Sequence, residues 1–339
     1  MTIREIAEFA GVSIATVSRV VNGRDEVSPE TRETVLRVVK EHGFSPNRSA
    51  RGLIQGRTGL VGVTLPMIQH SYFSVIVAGA AEALYERDLR IVLCPTQHEH
   101  EREVTLLGRL MHGMTDGALL VLPEESGDEL RTLLDYAYRF VVVDPREPVD
   151  EEIPTVSAAH ASGAGQAVGH LLALGHRRIA AITGPAGWLA TGERLRGYHA
   201  ALAAAGVRPD PQLVLESDFS LAAGRTTAAR LLGLAEPPTA IFAFNDDLAI
   251  GAILEARARG LRLPDELSVV GFDDVEQATI VTPELTTVRQ PLAEMGRMAV
   301  TLLLRLLENQ HVETVHVELA TRLVVRGSTA PVRSAALAS

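Results

Sequence analysis

The 339-residue chain contains one cysteine, one tryptophan and one lysine. A lone thiol, Cys94, excludes an internal disulfide framework and a multi-cysteine zinc site. Closing an apolar run, it reads as a small buried hydrophobe. One lysine among 32 basic residues, beside abundant alanine, reads as genomic base composition. No run of eighteen apolar residues occurs, so no transmembrane helix is expected. No charged-then-apolar leader opens the chain, so no secretory signal is expected and a cytoplasmic location fits. There is no Gly-x-Ser-x-Gly elbow and no Walker phosphate loop. The glycine run from Gly163 to Gly169 has the wrong final spacing for a dinucleotide loop. The alternation from His98 to Glu101 could chelate a metal, but such alternation is more often solvated surface. No cofactor and no metal are therefore expected. A hydrophobic share of 46% suffices for a packed core, and the length suits two or three lobes.

What is present begins at the N-terminus, MTIREIAEFAGVSIATVSRVVNG. Thr2 can N-cap a first helix, with Glu5 completing a capping box. Gly11 stands where that helix must end with a positive φ. Ser13 caps a second helix, closed by Asn22 and Gly23. Two short helices split by a glycine turn are the helix-turn-helix signature. Such pairs also occur in unrelated proteins, but two features favour a DNA groove. Small and hydroxyl residues (Ser13, Ala15, Thr16, Ser18) crowd the start of the second helix, the end that enters a major groove. Arg19, one turn on, can reach a guanine edge with its fork. The formal net charge of −10 argues against nucleic acid until it is divided. Residues 1–57 hold nine basic and seven acidic side chains, a net of +2, leaving −12 for the remainder. A basic head on an acidic body is expected when only the head meets phosphate.

A third helix follows Ser28 and Pro29, with Val35, Val38 and Val39 on one face and Gly43 at its end. Residues 44–59 read either as a flexible linker or as a hinge helix that orders only on DNA. In the second reading, within the stretch from Asn47 through Ala50 to Ile54, the basic Arg48 and Arg51 meet phosphates and the leucine Leu53 wedges into the minor groove. From residue 60, strand-length apolar runs alternate with helical stretches. Strands are expected at Leu60–Leu65, Leu89–Cys94, Gly117–Leu122, Phe140–Asp144 and Thr155–Ser157. A second series is Ile179–Thr183, Leu213–Glu216, Ala240–Phe244 and Val269–Phe272. Intervening helices include Phe73–Arg87, Gly163–Leu174, Gly192–Ala205 and Asp247–Arg259. This alternation predicts parallel sheets with helices on both faces, in two similar lobes with a ligand at the strand carboxyl ends.

Taken together, GVSIATVSRVVNG, SPNRSARGL, LALGHRRIAAITGP, FAFNDDLAIGAI, VVGFDDVE, PELTTVRQP and TRLVVRGST resemble the LacI/GalR family of bacterial transcriptional repressors, from about Thr2 to Thr329. The resemblance implies an all-α helix-turn-helix domain (1–45), a hinge helix or linker (46–58) and an α/β core of two Rossmann-like lobes (59–330) resembling periplasmic sugar-binding proteins. Three crossings would divide the core into lobe 1, about 59–157 plus 288–317, and lobe 2, about 158–287 plus 318–330. A disordered tail is expected at 331–339. It further implies a homodimer on a palindromic double-stranded operator, nucleoid-associated, controlling a catabolic operon in response to an effector in the cleft. Ile14, Ala15 and Arg19 match base-reading positions. Ser13, Thr16, Ser18 and Asn22 would hold the backbone, and Leu53 matches the hinge wedge. Gly52 departs from a good hinge helix, since glycine mid-helix costs up to about 1 kcal/mol relative to alanine. Gly52→Ala is therefore expected to tighten operator binding in a titration; unchanged or weaker affinity counts against an ordering hinge.

Tyr72, Phe73, Asp144, Trp188, Arg194, Phe219, Asn245 and Asp273 fall just after expected strands or at helix starts. Each also lies at or near a family effector position. A carboxylate, an arginine and an amide suit vicinal hydroxyls, and aromatics supply stacking faces, so a sugar is expected. Packing roles are the alternative for Phe219 and Tyr72. Asp246 and Asp274 could instead cap helices. A purine or other metabolite would use the same residue types. A plain small-molecule binding protein would not need residues 1–56, and a Rossmann-like enzyme would need chemistry absent here. The short tail carries no leucine heptads, so a dimer is expected, with the apolar Phe73–Tyr85 helix as part of its contact.

Overall fold

The computed structural model describes residues 1–21, 26–44, 57–310 and 315–332. Two units result, Met1–Gly59 and Leu60–Ser339. In the first, α1 (Ile3–Ala10), α2 (Ile14–Val21) and α3 (Pro29–Glu41) enclose Ile6, Ala7, Val17, Val20, Val35 and Val38. The local chemistry follows the chain. The Thr2 amide donates to Glu5 Oε2 at 2.6 Å while the Glu5 amide donates to Thr2 Oγ1 at 3.3 Å. Gly11 takes φ +65°. The Thr16 amide donates to Ser13 Oγ at 3.1 Å.

The second unit contains β1 (Leu60–Leu65), α4 (Ser71–Tyr85), β2 (Arg90–Pro95), α5 (His100–Arg109), β3 (Gly117–Val121), α6 (Gly127–Asp135), β4 (Phe140–Val143) and β5 (Thr155–Ala158). There follow α7 (His160–Ala173), β6 (Ile179–Thr183), α8 (Leu189–Ala204), β7 (Val214–Glu216), α9 (Leu221–Leu231), β8 (Ala240–Ala243), α10 (Asp246–Ala258), β9 (Ser268–Asp273) and α11 (Gln277–Ile280). The last elements are β10 (Thr286–Arg289), α12 (Leu292–Leu307), β11 (His316–Leu319) and β12 (Arg322–Val324). Two six-stranded sheets form with the same order, β2-β1-β3-β4-β5-β11 and β7-β6-β8-β9-β10-β12. All pairings are parallel except β10 with β12. Central strands such as β3, β4 and β6 are buried throughout, as a sheet covered on both faces requires. In lobe 1, α4 and α12 cover one face and α5 and α6 the other, where Cys94 is buried. In lobe 2 the covering pairs are α7 with α8 and α9 with α10.

The chain passes between lobes three times, after β5, after β10 and after β11. The second and third crossings lie a residue or two beyond the boundaries expected above, because pairing persists to Arg289 and Leu319. The helices α7 and α8 start three residues before Gly163 and Gly192. Tertiary packing carries them through glycines that sequence reading takes as starts. The 98–101 stretch is not all loop: α5 begins at His100. No helix among the described residues is long and apolar enough to cross a membrane.

The α4–α12 contact depends on glycine. A Cβ on Gly296 would stand 2.1 Å from the Ile76 carbonyl oxygen, and one on Gly79 would stand 2.0 Å from that of Ala293. Backbone cannot yield as a side-chain tip can. Gly296→Val is expected to destabilise the core by about 3 kcal/mol, read as a lowered melting temperature. A wild-type melt would refute the close crossing.

Candidate functional site

The eight residues expected at the effector site come together. Tyr72, Phe73, Asp144, Trp188, Arg194, Phe219, Asn245 and Asp273 all line one cavity of about 750 Å³. The topology explains this. In parallel sheets of matching order, the carboxyl ends of equivalent strands face one crevice. Asp144 follows β4 and Asp273 ends β9, the equivalent strands of the two sheets. Both have positive φ, +54° and +120°. Strained non-glycine backbone of this kind persists where surrounding structure over-determines it, commonly at binding sites.

A buried polar chain runs across the floor. Tyr72 Oη donates to Asp144 Oδ2 at 2.6 Å, and His160 Nε2 lies 2.8 Å from Asp144 Oδ1. Arg194 Nη2 approaches His160 Nδ1 at 3.3 Å and Asp273 Oδ1 at 3.9 Å, while Nη1 donates to the Phe244 carbonyl. Gln290 Nε2 donates to Asp273 Oδ1 at 2.6 Å. The Arg194 guanidinium also lies 4.0 Å over the Phe272 ring. Burial pushes the Asp144 carboxyl upward, but His160, the Tyr72 hydroxyl and Arg194 more than offset it, holding it below the usual range. Burial dominates at Asp273, which rises to about 6 despite Arg194. Tyr72 is pushed well above its ordinary value by burial and then by Asp144.

Aromatic faces form the opposite wall. Trp188 and Phe219 lie 5.3 Å apart at 43°, and the Arg146 guanidinium stands 4.7 Å over the indole. Trp188 occupies the N-cap position of α8 without a side-chain cap bond. Asn245 is both cavity wall and helix cap: its Oδ1 accepts from the Leu248 amide at 2.8 Å and its amide donates to the Phe219 carbonyl. The cap weighed above for Asp246 belongs to Asn245, and the N-cap position of α11, the helix after Asp274, is Glu276. Asp246 instead accepts from Thr287 and the Val275 amide, and Asp274 bridges Arg289 and Arg326.

Sequence reading missed several wall and floor groups: His70, His98, Glu124, Arg146, Asp218 and Asp247 on the wall, with His160 and Gln290 behind. Arg146 stands two residues past Asp144, the same strand-end signal that marks Asp144. His160, two residues past β5, carries the same signal, whereas Gln290 follows β10, a strand that sequence reading did not mark. At 98–101 the two histidines take separate partners, His98 with Glu124 at 3.0 Å and His100 with Glu129 at 2.9 Å. No three potential ligands converge on a metal position among the described residues.

Two contacts join the lobes at the cavity mouth. His70 Nε2 lies 3.0 Å from Asp247 Oδ2, and Ser71 Oγ donates to Gln277 Oε1 at 3.0 Å. Burial lowers the His70 pKa, but the hydrogen bond and charge of Asp247 and the charge of Asp273 outweigh it, so it is raised above 6.5. A raised histidine pKa contributes stability that is complete below the unfolded value and lost as pH rises through the folded one. Asp247→Asn is therefore expected to cost about 1–2 kcal/mol at pH 6 and much less at pH 8.5. Thermal melts at the two pH values check this; an equal loss at both would reject the charged latch.

In the first unit, α2 buries Val17 and Val20 and turns outward Ser13, Ile14, Ala15 and Arg19, with Thr16 and Ser18 half-buried. Ile14 is 43% exposed, which is high for an isoleucine in a small domain. Asn22, Asn47, Arg48, Ala50, Gly52 and Leu53, the expected hinge helix among them, lie outside the described residues.

Two parallel-sheet lobes linked by three crossings, with polar strand ends around a common cleft, define a ligand-binding core of the periplasmic-binding-protein type, here joined in one chain to a helix-turn-helix head. The chain belongs to the lacI family of bacterial regulatory proteins and is a transcriptional regulator. Residues 2–47 match that family's model, and residues 168–329 match the periplasmic binding protein-like domain. It is 38% identical to the transcriptional regulator CelR of Thermobifida fusca over 96% of this chain and 98% of that protein. The structure of a CelR–cellobiose complex superimposes with TM-score 0.75 at 35% identity, covering 97% and 99% of the two chains. The Lac repressor dimer bound to operator and the anti-inducer ONPF superimposes with TM-score 0.88 at 30% identity, again over 97% and 99%.

Proposed function

We propose that the protein is a repressor that binds a palindromic operator as a homodimer and releases or tightens it when a sugar occupies the cleft. The observation that carries this reading is the cavity itself: aromatic faces on one wall, and on the floor buried carboxylates, an arginine and an amide on fixed strand ends. Sugars need both surfaces, flat apolar faces for their C–H sides and bidentate groups for vicinal hydroxyls. A sugar bridging Asp144 in lobe 1 and Arg194, Asn245 and Asp273 in lobe 2 would favour one lobe separation over another, and that difference is what can reach the operator. In the head, Arg19 reads a guanine edge, Ile14 and Ala15 make apolar base contacts, and Ser13, Thr16 and Ser18 hold the backbone; Asn22, Asn47, Arg48, Ala50 and Leu53 complete the interface. The outward face of α4, with Val75, Ala78 and Tyr85, is offered to the second subunit. The likeness to CelR, solved with cellobiose, and to the Lac repressor, solved as a dimer on operator, supports the reading. The protein would act in the cytoplasm, at the nucleoid.

The test is selection of genomic fragments on purified protein at fixed, near-physiological salt, repeated with panels of sugars and nucleosides. One enriched palindrome whose recovery changes with a sugar is the expected result. Recovery without sequence preference under every condition, or a response to nucleosides alone, overturns it.

A further inference from the structure

Lobe 1 has a second cavity, of about 570 Å³, on the face away from α4 and α12. It lies between α5 with its following turn and α6. Its walls are mostly apolar, formed by Val104, Leu107, Met111, Leu133 and Tyr136, with Thr132 and Glu129 on the α6 side. Its polar end is formed by Glu125, which is only 6% exposed, and neither Glu125 carboxyl oxygen accepts from any residue other than its carboxyl neighbour Glu103. Behind Glu125 stands Glu103, 1% exposed, with Oε2 accepting from the Glu124 amide at 2.9 Å and the Thr64 hydroxyl and Glu125 as its other polar neighbours. Two adjoining buried carboxyls are costly unless a proton or a cation neutralises them. Among the described residues no arginine or lysine lines this cavity, and the histidine that does, His112, is turned to the Gly108 carbonyl.

We propose that this cavity is a second ligand site, for an organic amine: a primary ammonium directed at Glu125, on an apolar or aromatic body held between Leu107, Leu133 and Tyr136. Burial and then the neighbouring Glu103 charge push Glu125 up to about 8, and burial pushes Glu103 up to about 7. In the free protein the pair therefore holds a proton near neutral pH, and an entering ammonium replaces it. Other charges acting on the pair are Arg146, His100 and Glu129. A metal ion is the poorer occupant, since no third ligand converges here among the described residues and the walls are mostly apolar.

The site abuts the sugar cleft. Glu103 holds the backbone of Glu124, and the Glu124 side chain in the cleft pairs with Arg146, which stacks on Trp188. An amine that pulls on the carboxyl pair acts directly on that wall. The protein would thus read two ligands of different chemistry on neighbouring surfaces of one lobe.

The test uses 2-phenylethylamine against 2-phenylethanol, which share a body and differ in charge, on the full-length protein. The amine is expected to raise Tm by about 2 °C at near-saturating concentration, and the alcohol to leave it unchanged. Two variants control for folding. Glu125→Gln keeps volume and removes charge. Gly108→Leu fills the cavity from a helical position where an added Cβ meets no atom within 4 Å. Both are expected to fold and to lose the amine response. Equal shifts by amine and alcohol, or an amine response that survives both variants, overturn the site. The single tryptophan, Trp188, reports the shared wall: its emission is expected to change on amine binding, and a Tm shift without that change refutes the link to the cleft. None of these readouts requires the sugar or the operator, so they fail independently of the proposed function.

Discussion

Arg194→Ala is expected to abolish effector control of operator binding and to destabilise the core by about 3 kcal/mol. Arg194 is 4% exposed and serves four neighbours: the Phe244 carbonyl, His160, the Phe272 ring and Asp273. Its Nε has no acceptor, which leaves a buried donor for a ligand hydroxyl. Alanine removes the arginine facing Asp273 across the floor while the carboxylate stays buried. That is the costly way to break a buried pair. The pH dependence follows with a definite sign. Asp273 already rises from 3.8 to about 6 on folding, so its protonated form favours the folded state. Its contribution is present below about pH 4 and lost as pH climbs through 6. Without Arg194 the folded value climbs further and the loss extends to higher pH. Denaturation at pH 5 and pH 7.5 reads both effects, and operator titration with effector reads the third. Arg194→Lys keeps the charge but not the fork, so it is expected to recover stability more than response. An alanine variant with wild-type melting and an intact response would remove Arg194 from the site.

Arg19→Ala is expected to weaken operator binding by about 100-fold or more. A bidentate arginine–guanine contact is worth about 1–3 kcal/mol, and a dimer on a palindrome makes it twice. The exposed Arg19–Glu26 ion pair at 3.4 Å contributes little and does not compete with DNA. A base-reading arginine and a phosphate-binding one are separated by salt. Loss of a phosphate contact lowers the slope of log affinity against log salt by about one per site; loss of a base contact leaves most of the slope and relaxes preference at one base pair. A uniform loss over all sequences with a reduced slope would reassign Arg19 to the backbone.

Much of this was readable in the chain because its physics is local. Thr2, Glu5, Gly11, Ser13 and Ser28 bond to neighbours three or four residues away, so caps and turn need no partner from elsewhere. Alternating strand and helix lengths sufficed for parallel sheets, since only a crossover helix returns a chain to a parallel neighbour. Strand-end residues such as Asp144 and Asp273 were legible for the same reason. β10 and the edge strands β11 and β12 were not: all three are short, and β11 and β12 are partly exposed and pair with strands more than 30 positions away.

Local spacing along the chain was thus enough for the kind and order of most elements and for the strand ends expected at a cleft. How the polar groups there are matched came from packing in three dimensions. That packing set His160 of one lobe on Asp144 of the other, gave the helix cap to Asn245, and left Arg194 Nε, Glu103 and Glu125 buried with bonding capacity unused. Those outcomes depend on distances between residues far apart in the chain. Such distances are set by packing against the whole core, and spacing along the sequence does not carry them.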